Sequence, residues 1–230
     1  MIFTLYGQKL MTVFPLRAIL FCMNEKGGLQ GMNTSEITIR TAAISDAEEL
    51  LEIYSPYVTR TVISFECEVP SLEEFRARIE QKLKRYPYLV AEQGGELLGY
   101  TYISPFVGRA AYDWAAETTI YLREDKKHMG VGKKLYTALE KVSSMQNILN
   151  LNACIGYPEV EDEYLTKNSA QFHAHMGYRM VGEFKKCGYK FGRWYNMVWM
   201  EKLIGEHTPD PAPVIPFPEL DPAELQKILG

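Results

Sequence analysis

The sequence predicts an α/β domain, a mixed sheet with helices packed against it. Three observations predict this class. Segments that alternate apolar and polar residues interleave with segments whose apolar residues recur every three or four positions. Two of the helical segments open with the signature of a capping box. A third is entered from a strand through the bend Gly130-Val131-Gly132.

In chain order, Ile37–Thr41 reads as a short strand. Ser45-Asp46-Ala47-Glu48 reads as a capping box opening a helix through about Tyr57. Ser71-Leu72-Glu73-Glu74 repeats the device, and its helix runs to near Tyr86, where Pro87 stops it. Tyr88–Gln93 and Glu96–Ser104 flank Gly94-Gly95, a two-residue hairpin turn. A strand from Glu117 to Leu122 leads to the glycine bend, and the helix beyond it carries Leu135, Leu139 and Val142 on one face. Leu151–Ile155 is a further strand and Ser169–Met176 a short helix. Tyr178–Phe184 and Tyr195–Lys202 close the sheet. The domain so defined spans residues 35–205. Residues 1–34, broken by Gly27-Gly28 and Gly31, read as a weakly ordered extension. Residues 206–230 read as a proline-rich tail. Six of the 12 prolines fall between Pro209 and Pro222, which excludes a continuing strand or helix there. The tail is expected to lie along the domain or a partner subunit.

Bulk properties exclude several functions. The chain has 230 residues, 47% of them hydrophobic, which suits one domain with tails. Its formal net charge of −4 supplies no general attraction for nucleic acid or an anionic membrane. The cluster Lys126, Lys127, Lys133 and Lys134 therefore reads as a small anion site. No apolar run approaches the roughly 20 residues of a membrane helix. The apolar stretch Met11–Met23 is interrupted by Pro15 and Arg17. Cys22, Cys67, Cys154 and Cys187 show no C-x-x-C spacing. That pattern fits neither a zinc site nor a disulfide framework, and points to a reducing, cytoplasmic setting without a metal.

The bend is the richest local signal. Two glycines one residue apart permit a tight turn, and a helix start offers unpaired N–H groups with a partial positive charge. Lys133 and Lys134 follow at once. A P-loop is excluded, because Lys134 occupies its hydroxyl position and no glycine lies five before Gly132. A dinucleotide fingerprint is excluded by Leu135 at the third glycine position. The remaining alternatives are an anion cradle of another kind and a glycine-eased helix start that binds nothing.

The bend, with the basic residue Lys127 two before Gly130-Val131-Gly132, resembles the coenzyme A pyrophosphate loop of the GNAT acetyltransferases. The order of elements from Glu36 to Leu203 resembles that fold, a mostly antiparallel twisted sheet flanked by helices. Arg85-Tyr86-Pro87-Tyr88-Leu89-Val90-Ala91-Glu92, Arg109-Ala110-Ala111-Tyr112-Asp113-Trp114 and Cys187-Gly188-Tyr189-Lys190-Phe191-Gly192-Arg193-Trp194 narrow the resemblance to the phosphinothricin N-acetyltransferases. The resemblance implies acetyl transfer from acetyl-CoA to the α-amine of a small amino-acid-like acceptor, of the phosphinothricin or methionine sulfone and sulfoximine type, in a homodimer. It implies cofactor contacts at Ile120, Tyr121 and Leu122, along the bend (Lys127, His128, Met129, Gly130, Val131, Gly132, Lys133, Lys134) and at Ser169. It implies acceptor contacts at Phe65, Arg109 and Tyr112, with Arg109 pairing to an anionic group. Two departures stand out: Lys127 replaces the usual arginine or glutamine, and Glu159–Lys167 holds an acidic insertion, with Thr166 where an asparagine usually precedes Ser169.

Acetyl transfer to an ammonium of pKa about 8 or above is helped by a base at neutral pH. On a strand, Glu117, Thr119 and Tyr121 share one face while Thr118, Ile120 and Leu122 share the other. Glu117 is the expected general base, which the resemblance supports. Read from the strand alone, it is equally an edge carboxylate facing solvent. His173 matches a histidine of the resembled family and is the expected acid for the leaving thiolate; the alternative is a packing histidine. Arg109 is otherwise a solvated loop charge, and Phe65 and Tyr112 ordinary packing. The resemblance implies that a strand N–H near a bulge polarises the thioester, with Thr119–Leu122 as the segment to watch. Two other readings compete: covalent catalysis by Cys154, which sits in an apolar strand pattern, and a non-catalytic acyl-CoA-binding sensor or interaction module.

Overall fold

Alternation along the strands divides the side chains of one sheet between two apolar layers. The computed structural model describes residues 36–126 and 129–230; the extension 1–34, Lys127 and His128 lie outside the described residues. The strands are β1 (Thr38–Thr41), β2 (Tyr88–Gln93), β3 (Glu96–Pro105), β4 (Ala115–Leu122), β5 (Asn150–Tyr157), β6 (Arg179–Lys190) and β7 (Arg193–Leu203). They form one sheet in the order β1-β2-β3-β4-β5-β7-β6. All neighbours are antiparallel except β4 and β5. The helices are α1 (Ala47–Arg60), α2 (Leu72–Leu83), α3 (Val131–Met145), α4 (Asn168–His175) and α5 (Pro222–Leu229).

One layer packs α1 and α2 on Tyr88, Val90, Leu97 and Tyr100. The other packs α3 on Leu89, Ala91, Leu98 and Ile103, together with parts of α4 and α5. Neighbours Leu89 and Val90 thus serve opposite cores, as a strand repeat of two residues requires.

Local signals are met unevenly. The Ser71 box forms: its hydroxyl accepts the Glu74 N–H at 3.2 Å, and the Glu74 carboxylate accepts the Ser71 N–H at 2.8 Å. The box expected at Ser45 does not form. A 3-10 turn over Ile44–Asp46 precedes α1. The Asp46 carboxylate accepts the Ala43 N–H and pairs with Arg40 of β1, both at 2.7 Å. The pair with Arg40 holds Asp46 in the 3-10 turn, and α1 begins at Ala47, one position later than read. Gly94 and Gly95 sit at φ 62° and 87°, as a tight hairpin turn demands.

The C-terminal residues belong to the same packed unit as the sheet. Phe217 and Leu220 are buried in the α3 layer, and Gln146 clasps the tail by donating to the Ile215 carbonyl at 2.8 Å. The tail lies along the domain, as its prolines suggested, but then forms α5. Pro222 occupies the first turn, where a missing N–H costs nothing, and the Asp221 carboxylate caps it. The acidic insertion is an ordered loop: Asp162 accepts the N–H groups of Tyr164 and Leu165 and pairs with Arg193 of β7, all at 2.9 Å.

Candidate active site

The parallel pairing of β4 and β5 covers only Ala115↔Asn150, Ala116↔Leu151 and Glu117↔Asn152. Beyond it no pairing continues, and a cleft of about 450 Å³ lies between Thr118–Tyr121 and Ala153–Gly156. The β3–β4 register is unbroken from Gly99↔Leu122 to Pro105↔Ala116, so β4 is regular over Thr119–Leu122, the segment singled out for a polarising N–H. Backbone polar groups reach the cleft because two strands part, without an irregularity in β4.

Glu117 stands where the strands part. Burial raises its carboxyl pKa, and the nearby Lys82 ammonium partly opposes that shift. Lys82, from α2, donates to Ser104 Oγ at 2.6 Å, and Ser104 faces Glu117 across the β3–β4 pair. A half-buried carboxylate with a raised pKa near a cation is equipped to take a proton near neutral pH.

His173 lines the same cleft as Glu117, in a setting different from the one a general acid needs. It is 3% exposed. Burial lowers its pKa to about 4, so the ring is neutral at pH 7. Nδ1 lies 2.7 Å from the Ser169 carbonyl and Nε2 lies 2.8 Å from the Tyr136 hydroxyl. The carbonyl can only accept, so Nδ1 carries the proton and Nε2 accepts the Tyr136 O–H. Tyr136 also lies 3.2 Å from Thr118 Oγ1, so α3, α4 and β4 are tied by one buried polar chain.

Phe65 lines the cleft on the loop after α1 and is 38% exposed. Its ring lies against Gly188 and Gly156: a Cβ at Gly188 would fall 2.0 Å from Phe65 Cε1, and one at Gly156 would fall 3.3 Å from Cε2. The loop is pinned by Lys190, whose ammonium donates to the carbonyls of Thr61 at 2.9 Å and Ser64 at 2.6 Å. The aromatic-glycine motif of the β6–β7 hairpin is therefore a seat for this loop.

Ile120, Tyr121 and Ser169 also line the cleft. Leu122 turns its carbonyl to the Tyr57 hydroxyl at 2.6 Å. Gly130 caps α3 at φ 80°, a conformation that favours glycine, and a Cβ there would meet nothing within 4 Å. The reason for Gly132 is different: a Cβ would come within 3.2 Å of the Phe172 ring of α4, so this glycine serves helix packing. Val131 is buried in the core, Met129 is exposed, and Lys133 and Lys134 line a separate groove with β1 and α5. The first-turn N–H groups of α3 remain a fit for a diphosphate, with Lys133 beside them.

Arg109 and Tyr112 are not among the cleft residues. Arg109 precedes the 3-10 turn Ala110–Tyr112, and Tyr112 packs edge-on to Phe106 at 6.1 Å. Cys154 does line the cleft and is exposed, contrary to its apolar strand pattern. Its thiol is pushed up to about 11 by desolvation, which makes it a poor nucleophile by another route. Sequence reasoning missed Lys82 and Arg78 of α2, and the tyrosines Tyr54, Tyr102 and Tyr136. The four-residue spacing of the two cations was a usable signal, but it is also the spacing of any solvated helix face.

Residues 39–199 match the acetyltransferase (GNAT) domain, and the chain belongs to that family. Within it, the chain is 30% identical over 184 residues to a phosphinothricin N-acetyltransferase of Streptomyces viridochromogenes, covering 80% of this chain and 96% of the relative. It is 27% identical over 166 residues to an L-methionine sulfoximine/L-methionine sulfone acetyltransferase of Pseudomonas paraeruginosa, covering 71% and 92%. The crystal structure of a phosphinothricin acetyltransferase from Sinorhizobium meliloti, in complex with acetyl-CoA, superposes with a TM-score of 0.71. That pair is 31% identical over 76% of this chain and 93% of the other.

Proposed function

We propose that this chain transfers the acetyl group of acetyl-CoA to the α-amine of a small amino-acid-like acceptor, by direct attack in a ternary complex. The single observation that carries the reading is Glu117: a half-buried carboxylate of raised pKa, at the point where β4 and β5 part, beside a cation. Glu117 takes a proton from the acceptor ammonium. The freed amine attacks the thioester carbonyl, whose oxygen is held by β4 backbone in the cleft. The C–N bond forms, the nitrogen gives its second proton to solvent, the C–S bond breaks, and coenzyme A leaves as a thiolate that takes a proton from solvent. His173, neutral at pH 7, acts in this reading by fixing Tyr136 and the Ser169 turn. Diphosphate contacts fall to the first turn of α3, and acceptor contacts to Phe65; no step requires a metal. Arg109 and Tyr112 remain acceptor contacts in this reading only if the acceptor extends beyond the cleft.

The same reading includes a homodimer in a reducing cytoplasm. Edge strand β6 supports the first: Val181, Phe184 and Tyr189 are more than half exposed, at 54%, 55% and 57%, and long apolar edges are usually covered. The exposed free thiols of Cys67, Cys154 and Cys187 support the second.

Thiol release with saturating acetyl-CoA and a panel of free amino acids, including phosphinothricin and L-methionine sulfone, tests the function. Acetylation of at least one α-amine is expected. Tight coenzyme binding with no turnover on any acceptor would overturn it in favour of an acyl-CoA-binding module. Sedimentation of wild type and of Phe184→Glu tests the dimer.

A further inference from the structure

Two cations of α2, Arg78 and Lys82, border two spaces at once. One is an open groove on the outer side of α2. The other is a 230 Å³ cavity walled by tyrosines. That cavity shares Tyr54, Glu66, Tyr102 and Tyr121 with the Glu117 cleft, so the outer groove, cavity and cleft adjoin in sequence. Arg78 is matched, because Glu66 pairs with it at 2.7 Å.

Lys82 has no such match. Its ammonium donates to Ser104 Oγ at 2.6 Å and lies 5.3 Å from the centre of the Tyr102 ring. Among the described residues, no carboxylate stands within 4.0 Å of it. Burial disfavours its charge and the field of Glu117 only partly offsets this, so an ammonium withdrawn from water with no ion-pair contact is costly. Ser104 and Glu117 are direct partners across β3 and β4, with Cβ atoms about 5 Å apart in such pairs. Lys82 borders the tyrosine cavity and Glu117 the cleft that adjoins it, so ammonium and carboxylate act on each other across that junction without an ion pair. A free α-amino acid has the complementary layout, an ammonium and a carboxylate on one carbon.

We propose that Lys82 binds the α-carboxylate of the acceptor, fixing its amine before Glu117, while the acceptor side chain enters the tyrosine cavity. The inference rests on the acetyl-transfer reading and adds a recognition rule to it. The substrates are free α-amino acids, and amines or amino-acid amides of the same shape are excluded. Glu66 and Arg78, already paired, leave the cavity near neutrality and favour a polar, uncharged side chain.

The test uses L-methionine sulfone and its primary carboxamide as paired acceptors, with wild type, Lys82→Met and Lys82→Arg. A charged hydrogen bond of this kind corresponds to a change of about 10- to 100-fold. Wild type is expected to prefer the acid over the amide by that factor in kcat/KM. Lys82→Met should lose the preference by falling at least about tenfold further on the acid than on the amide, with the KM for acetyl-CoA unchanged, and Lys82→Arg should restore much of it. Equal losses on both acceptors would overturn the proposal, since Lys82 would then act only on Glu117 or on the fold; so would unchanged kinetics. If wild type acetylates neither acceptor, the acetyl-transfer reading itself fails. Calorimetric binding of methionine sulfone then decides for Lys82: weaker binding to Lys82→Met supports it, equal binding overturns it.

Discussion

Glu117 and Thr118 are neighbours on β4, yet they lead into two unlike halves of the same site. On the Glu117 side lie α1 and α2, the tyrosine cavity and the cations Arg78 and Lys82. On the Thr118 side lie α3 and α4, and the buried chain from Thr118 through Tyr136 to His173. Desolvation shifts both titratable groups toward their neutral forms, raising the pKa of Glu117 and lowering that of His173. The outcomes differ because of partners. Glu117 lines the open cleft, so its shift leaves a carboxylate that a substrate can reach, as the proposed base role requires. His173 has both nitrogens committed, so its shift makes a fixed, neutral strut. A perturbed pKa marks chemistry only where the group can still meet a substrate.

The largest expected effect breaks the Glu117 half. Glu117→Gln should lower kcat by roughly 100-fold or more, within the usual range for a lost general base. Wild-type turnover at saturating substrates would remove Glu117 from the role. The same variant should be more stable than wild type at neutral pH. A carboxyl whose folded pKa is raised above its ordinary 4.5 imposes a cost once ionised. That cost is absent below pH 4.5 and appears as pH rises through the folded pKa. Thermal unfolding of both proteins at pH 4 and pH 7.5 checks the sign. In wild type, kcat/KM should fall as pH drops through a pKa above that of an ordinary carboxylate.

On the other half, stability and activity should respond in the opposite proportion. The His173 ring titrates at about 4 when folded and near 6.5 when unfolded. Its contribution is complete above pH 6.5 and is lost as pH falls from 6.5 to about 4, by at most about 3 kcal/mol. His173→Asn should flatten that part of the denaturation profile. It should destabilise the protein by about 1–3 kcal/mol at pH 7, by removing the ring nitrogen at 2.8 Å from the Tyr136 hydroxyl and leaving only the longer Thr118 contact. Its kcat should stay within about tenfold of wild type. A larger loss of kcat in a well-folded variant would return His173 to the chemistry.

Smaller effects sharpen the boundary between the halves. Gly188→Ala puts a Cβ against Phe65 and should cost about 1–3 kcal/mol of strain, or displace the loop. The expected reading is a raised acceptor KM with the acetyl-CoA KM unchanged; an unaltered acceptor KM would detach Phe65 from the acceptor site. Smallest of all is Cys154→Ser, which should leave turnover near wild type. With a thiol near 11, alkylation of Cys154 at pH 7.5 should lag well behind that of an ordinary free thiol. A burst of acetyl-enzyme would contradict both.

The order of strands and helices was legible in the sequence because each rests on local periodicity and on capping or turn residues. The Ser71 box and the Gly94-Gly95 turn are closed within a few residues, and both form as read. Glu117 was legible too, since a strand assigns its side chains to faces by parity alone. What failed were readings in which a distant partner competes. Ser45 lost its helix start to the Arg40–Asp46 pair, and Gly132 carries a packing demand from Phe172 that the bend alone did not reveal. Cys154, apolar by pattern, lines an open cleft because β5 leaves β4 three pairs into their ladder.

The sequence by itself determined the elements, the alternation of β4 and the glycine start of α3, because propensity, periodicity and backbone sterics act over a few residues. Only the tertiary structure decided where β4 and β5 separate, which buried ring stays neutral and which ammonium has no carboxylate in ion-pair contact. Those depend on desolvation and on charges brought together from residues far apart in the chain, and a linear pattern carries neither distance nor dielectric.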